Sequence, residues 1–183
     1  LSNWRRAFCP GGTFFFTLAT ERRAPVFTTP RGRSILRTVT EGCRQRWPFE
    51  ILAIVLLPDH LHALWRIPDG DSAYPRRWAW IKKEFTQQWL AEGGREQPIS
   101  GSRSKEGRRG VLQRRYWEHM IRDETDHKRH VDIHYNPVKH GHASCPAEWP
   151  WSSFHRYLRA GVYSSDWGCT RMTFDDIDAS VRE

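Results

Sequence analysis

The chain is poor in what a zinc module, a disulfide-stapled miniprotein or a membrane protein requires. Its 183 residues include only four cysteines, and Cys9, Cys43, Cys145 and Cys169 form no C-x-x-C pair. That scatter argues against a structural zinc site and against a disulfide framework, and fits a reducing, cytoplasmic setting. The longest apolar run, Ile51 to Leu57, is seven residues and stops at Pro58, whereas a membrane span needs roughly 20. No membrane partner is expected. Behind the charges of Leu1-Ser2-Asn3-Trp4-Arg5-Arg6 there is no apolar stretch of the signal-peptide kind, so no secretory signal is expected. Internal repeats are absent. Acidic residues are the minority, 21 against 29 Lys+Arg, for a formal charge of +8 and a pI near 9.7. A polyanion partner is thereby a candidate, although charge alone does not choose between nucleic acid, an acidic protein and simple solubility.

Core-forming material is plentiful. Hydrophobic residues make up 38% and aromatics 13%, with ten tryptophans, enough for one folded domain. After Gly11-Gly12, the aromatic and β-branched run Thr13 to Leu18 reads as a strand. Thr29-Pro30 supplies an N-cap and a first-turn proline, and Ile35, Val39 and Cys43 recur at four-residue steps until Trp47-Pro48, which predicts a helix. Phe49 to Leu57 and His60 to Ile67, joined by Pro58-Asp59, predict an antiparallel hairpin. Trp78, Ile81, Phe85 and Trp89 predict a second helix from Pro75 to about Gly93, with Arg76, Arg77, Lys82 and Lys83 on its outer face. Ile99 to Gly110 reads as a basic loop, Val111 to Ile121 as a fourth strand and Asp123 to Lys139 as a polar third helix. The order is that of a ferredoxin-like βαββαβ sheet with helices on one face plus one C-terminal helix, so the fold class is α+β. Residues 1–168 form the expected domain and 169–183 an acidic tail. That tail, with Asp175, Asp176, Asp178 and Glu183, is either a DNA mimic over a basic cleft or a loose solvated end.

Alternate residues of a strand share a face, so His60 and His62 point the same way. Two imidazoles on a rigid hairpin suit a divalent ion with coordination positions left open, although a pair of surface histidines has the same spacing. The predicted third helix adds Asn136, whose amide oxygen can complete such a site, beside His130, His134 and Tyr135. Asn136-Pro137 also has a purely conformational reading, because proline disfavours helix at the preceding residue.

Several segments in order carry a resemblance. They are Asn3-Trp4-Arg5-Arg6-Ala7-Phe8, Pro10-Gly11-Gly12-Thr13-Phe14-Phe15, Leu57-Pro58-Asp59-His60-Leu61-His62, Gln113-Arg114-Arg115-Tyr116-Trp117-Glu118-His119, Ile133-His134-Tyr135-Asn136-Pro137-Val138-Lys139-His140-Gly141 and Trp149-Pro150-Trp151-Ser152-Ser153-Phe154-His155-Arg156-Tyr157. From about Asn3 to Trp167 the chain resembles the REP-associated tyrosine transposases, single-tyrosine members of the HUH nucleases. The resemblance implies a monomer that recognises hairpins of repetitive extragenic palindromes and acts on single-stranded DNA. It implies Mg²⁺ or Mn²⁺ held by His60, His62 and Asn136, and a tyrosine that attacks the phosphate to leave a 5′-phosphotyrosine and a free 3′-hydroxyl. A phenol with a pKa near 10 needs positioning and a Lewis acid for that step.

The family's segment usually reads Asp-Tyr-Ile-His-Tyr-Asn-Pro, and this chain reads Asp132-Ile133-His134-Tyr135-Asn136-Pro137. Asp132 stands where the nucleophile belongs. Tyr135 is the nearest phenol, but helical neighbours such as Tyr135 and Asn136 diverge by about 100°. Three readings follow: a cleavage-dead DNA binder, rescue by Tyr135, or a modified tyrosine absent from the written sequence. Candidate DNA contacts are Arg5, Arg6, Arg76, Arg77, Lys82, Lys83, Arg114 and Arg115, with Trp78, Trp80 or other exposed aromatics as base platforms. An RNA-processing enzyme is the third functional class such a basic fold admits.

Overall fold

The computed structural model describes residues 10–123, Asp126 and residues 132–169. Arg5, Arg6, the segment 170–183 of the acidic tail and much of the predicted helix from Asp123 lie outside the described residues. The elements are β1 (Gly12–Ala19), α1 (Pro30–Arg46), β2 (Glu50–Leu56), β3 (His60–Ile67), α2 (Tyr74–Ala91) and β4 (Trp117–Met120). The strands form one antiparallel sheet in the order β2-β3-β1-β4, the ferredoxin-like arrangement in an α+β fold. No helix among the described residues is long and apolar enough to cross a membrane.

Strand alternation sorts the sheet into two faces. Phe14, Phe16 and Leu18 of β1 and Leu61, Ala63, Trp65 and Ile67 of β3 point toward α1 and α2, joining Ile35, Val39, Trp78, Ile81 and Phe85 in the larger core. α1 starts where expected: the Thr29 hydroxyl accepts from Gly32 N at 3.0 Å, with Pro30 in the first turn. Gly32 is required there, since a Cβ would fall 2.1 Å from the Val26 carbonyl oxygen.

The opposite face is covered by the C-terminal part of the chain. Phe15, Ala53, Val55, Leu57 and Leu64 pack against Ile133 and Trp149 in a second, smaller core. The same segment closes the open edge of β2. Leu56 N donates to Trp151 O, Ser153 N donates to Ile54 O, and the Ser153 hydroxyl accepts from Ile54 N, all at 2.8 Å. An edge strand with no such cover is a template for unwanted pairing.

Four expectations need correction. Where the polar third helix was expected, the described part is a 3₁₀ turn, Asp132–Tyr135, followed by one helical turn, Asn136–Lys139. Pro137 lies in the first turn of that helix, where its missing N–H costs no helical hydrogen bond, and it disfavours a helix continuing through the residues before it. Cys145 and Cys169, 24 residues apart, are disulfide-bonded with Cα atoms 4.4 Å apart. The return of the chain through Trp167-Gly168-Cys169 onto Pro146 brings them together, a proximity that spacing arithmetic does not register. The Val111–Ile121 strand shortens to Trp117–Met120, and Gly101–Lys105 of the basic loop is a short helix.

Candidate metal and DNA site

β3 begins at His60, so the two imidazoles enter the sheet immediately after the Pro58-Asp59 turn and on the face turned away from α1 and α2. Each is oriented by a neighbour. His60 Nδ1 donates to the Asp59 carboxylate at 2.7 Å, which directs the Nε2 lone pair away from the turn. His62 Nδ1 lies 2.8 Å from the Thr17 hydroxyl on β1, its register partner across the sheet. Both rings are buried, and their Nε2 atoms have no hydrogen-bond partner among the described residues. Buried imidazole nitrogens without partners are costly unless something else satisfies them. Burial, helped by the nearby His60 and His140 charges, pushes the His62 pKa well below its usual value, so the ring is neutral and able to ligate.

His140 follows the helical turn Asn136–Lys139 and brings its ring 5.2 Å from that of His60. One ligand atom from each of His60, His62 and His140 falls within 4.8 Å of the other two. A cavity of about 240 Å³ opens beside them, lined by Phe15, Thr17, Arg23, Gln113, Trp117, Asn136 and Lys139 as well as by His60 and His62. The donor set fits a divalent ion: a neutral His62 imidazole and a His60 imidazole oriented by Asp59, an amide, and open cavity for further ligands. Sequence reasoning grouped His60, His62 and Asn136, and the structure places all three on this cavity. It missed His140, Thr17 and Asp59; the signal for Asp59 was its place next to His60, whereas His140 and Thr17 come from elements remote in sequence.

Arg23 reaches the cavity from a strained turn. Arg22 and Arg23 have φ of 52° and 54°, a left-handed conformation that costs a non-glycine residue of order 1 kcal/mol or more. The turn is held by a fork from Arg103 to Glu21 at 2.8 and 2.9 Å and by Arg22 Nε donating to Pro98 O at 2.8 Å.

Similarity to known proteins identifies the family. The chain is 41% identical over 169 residues to a Haemophilus influenzae protein named as a REP-associated tyrosine transposase, covering 92% of this chain and 94% of that protein. It belongs to the REP-associated tyrosine transposases. The REP-associated tyrosine transposase of Escherichia coli K12 is 38% identical, with 91% of each chain covered. A solved structure of a REP-associated tyrosine transposase bound to a REP hairpin superposes with a TM-score of 0.76 at 37% identity, covering 94% of this chain and 96% of that one. No protein-family model matches.

Within this transposase framework the candidate nucleophile and cations fall in different places. Tyr135 is buried and does not line the cavity; its ring meets Trp167 at 6.5 Å. A Cβ on Gly168, whose φ is +73°, would come 3.1 Å from Tyr135 Cδ2, so the phenol ring is packed under the C-terminal return. Arg77 is no surface cation. It is 1% exposed, with Asp71 at 2.6 Å and the Trp47 and Pro48 carbonyls accepting at 3.2 and 2.9 Å. The Lys82 ammonium donates to the Gln113 and Arg114 carbonyls at 2.6 and 2.7 Å, tethering the segment that leads to β4. Arg76, Lys83, Arg114 and Arg115 are exposed. Trp78 is buried and stacked on Trp65 at 4.3 Å, and Trp80 sits edge-on to Trp47, so neither is a free base platform.

Proposed function

We propose that this chain binds REP-type DNA hairpins and holds the adjoining single strand against a divalent ion carried by His60, His62 and Asn136, with His140 beside them. The observation that carries the reading is the pair of buried, oriented histidines lining one cavity, whose Nε2 atoms have no partner among the described residues. Mg²⁺ or Mn²⁺ bound there supplies Lewis-acid polarisation of a phosphate. Imidazole donors favour Mn²⁺ over the oxygen-loving Mg²⁺. Asp59 and Thr17 fix the ring orientations, Arg23 and Lys139 meet phosphate oxygens at the cavity rim, and Arg76, Lys83, Arg114 and Arg115 contribute sequence-independent attraction to the backbone.

The covalent step stands apart from this. The family's tyrosine is missing before Ile133, and Tyr135 packs outside the cavity, which supports a hairpin-binding, strand-positioning protein deficient in phosphotyrosine formation. Incubation with an end-labelled hairpin bearing a single-stranded flank and Mn²⁺, followed by denaturing electrophoresis, is expected to show no covalent band under conditions where the hairpin is bound. A covalent band that disappears in Tyr135→Phe would overturn this and restore the strand-transferase reading. In the same assay His60→Ala and His62→Ala are expected to lose Mn²⁺ while retaining most hairpin affinity.

A further inference from the structure

Register places one row of residues across the sheet on the face that carries the histidines. Thr17 pairs with His62 on β3 and with Trp117 on β4. Adjacent strands lie about 4.8 Å apart, so the Trp117 backbone stands roughly 10 Å from that of His62. The indole lines the same cavity as His60 and His62. It is fixed from two sides, edge-on to Phe15 at 5.7 Å and parallel to the His119 ring at 5.8 Å. It is nevertheless 40% exposed, and the only other large hydrophobic exposed among the described residues is Val162. The cavity, about 240 Å³, is several times the roughly 30 Å³ of a water molecule, leaving room for a flat ring beside an ion. Arg23 and Lys139 supply cations on its rim.

A rigid exposed indole flanked by cations is the combination that binds single strands, with the backbone held by charge and the base by stacking. We propose that Trp117 is the base platform of this cavity, stacking on the unpaired nucleobase next to the phosphate held at His60 and His62. The proposal rests on the DNA reading above and adds the group that takes the base. An indole face carries no hydrogen-bond code, so this subsite selects unpaired over paired nucleotides rather than one base over another.

The test uses single-stranded oligonucleotides with 2-aminopurine at successive positions, the full chain, and Trp117→Ala and Trp117→Phe, with thermal melts to establish that both variants are folded. Quenching is expected at one position with the parent protein, lost in Trp117→Ala and largely kept in Trp117→Phe. Single-strand affinity is expected to fall roughly 5- to 150-fold in Trp117→Ala, while a blunt hairpin without a flank binds unchanged. An abasic nucleotide at the quenched position should weaken the parent and leave Trp117→Ala unaffected. Trp117→Ala binding the single strand as tightly as the parent, or losing single strand and blunt hairpin equally, overturns the proposal. Failure of the hairpin reading shows differently: the blunt hairpin would bind no better than an unstructured strand, with the Trp117-dependent quenching intact.

Discussion

Replacing Asp59 by alanine removes the carboxylate that accepts from His60 Nδ1 at 2.7 Å. The turn itself should survive, because Thr20 N and the Thr20 hydroxyl both donate to the Asp59 backbone carbonyl at 2.9 Å. The Arg23 contact, 3.5 Å long with the arginine half exposed, adds little to stability. Burial alone would raise the Asp59 pKa, but the His60 hydrogen bond and the His60 and Arg23 charges outweigh it and hold the carboxyl below its usual range. The parent side chain is therefore an anion at neutral pH that pins the His60 proton to Nδ1. Without it the proton is free to sit on Nε2, where a ligand lone pair is required. Loss of such an orienting partner weakens metal affinity about 10- to 100-fold, or about 1.4–2.7 kcal/mol. Thr17→Val tests the same logic at His62, replacing the hydroxyl 2.8 Å from Nδ1 by a methyl of similar size. Calorimetric titration with MnCl₂, beside melting curves for each variant, measures both. Mn²⁺ affinities within about twofold of the parent, a difference of less than 0.5 kcal/mol, would refute the claim that these two contacts prepare the histidines for a metal.

Arg77→Met should destabilise the fold by about 1–3 kcal/mol, because two carbonyls lose their buried donor and the partly exposed Asp71 carboxylate loses its partner, while leaving the salt dependence of DNA affinity unchanged; a true phosphate contact would lower that slope by about one. The Arg77 hydrogen bond, ahead of the opposing effect of burial, lowers the pKa of Asp71. Its stabilisation is therefore complete above the unfolded value near 3.9 and is lost as pH falls through the lower folded value. Urea unfolding against pH should show this acid limb flattened in Asp71→Asn. Reduction of Cys145–Cys169, which closes a loop of 24 residues' separation, should cost about 3.5 kcal/mol on chain-entropy grounds. Urea curves with and without dithiothreitol, and with Cys145→Ser, check it; coincident curves would show that the bridge does not form in solution. Cys43 should not exchange with the pair, because burial pushes its thiol up to about 11.

The parts of the fold legible in the sequence are those whose packing repeats locally. β3 was readable to the residue, His60 to Ile67, because its period of two separates Leu61, Ala63 and Trp65 from His60, His62 and Leu64. α1 was readable from its cap, its proline and its four-residue apolar steps. Arg77 follows the pattern and not its charge: it lies three residues after Tyr74 and four before Ile81, inside the buried stripe of α2. A charged side chain predicts exposure, yet a guanidinium with three acceptors in place is stable where an unpaired one is not. The second layer was less legible for a different reason. Residues 132–157 cover the histidine face through a 3₁₀ turn, one helical turn and the Trp151–Ser153 contacts to the β2 edge, none of which repeats along the chain.

The candidate site inherits both kinds of legibility. His60 and His62 share a face by strand geometry alone, so their pairing follows from local order. Asn136, Lys139 and His140 reach them only because Ile133 and Trp149 bury against Phe15, Val55 and Leu64, which sets the helical turn over the start of β3. Against the Asp-Tyr-Ile-His-Tyr-Asn-Pro reading that the resemblance implies, the chain is one residue short before Ile133, where the phenol is expected; the hydrophobic anchor at Ile133 and the turn that follows nevertheless keep Asn136 on the histidine cavity. On the function proposed above, metal binding and hairpin binding draw on the anchored part and covalent attack on the phenol before Ile133, so measurements of the three are expected to divide along that line.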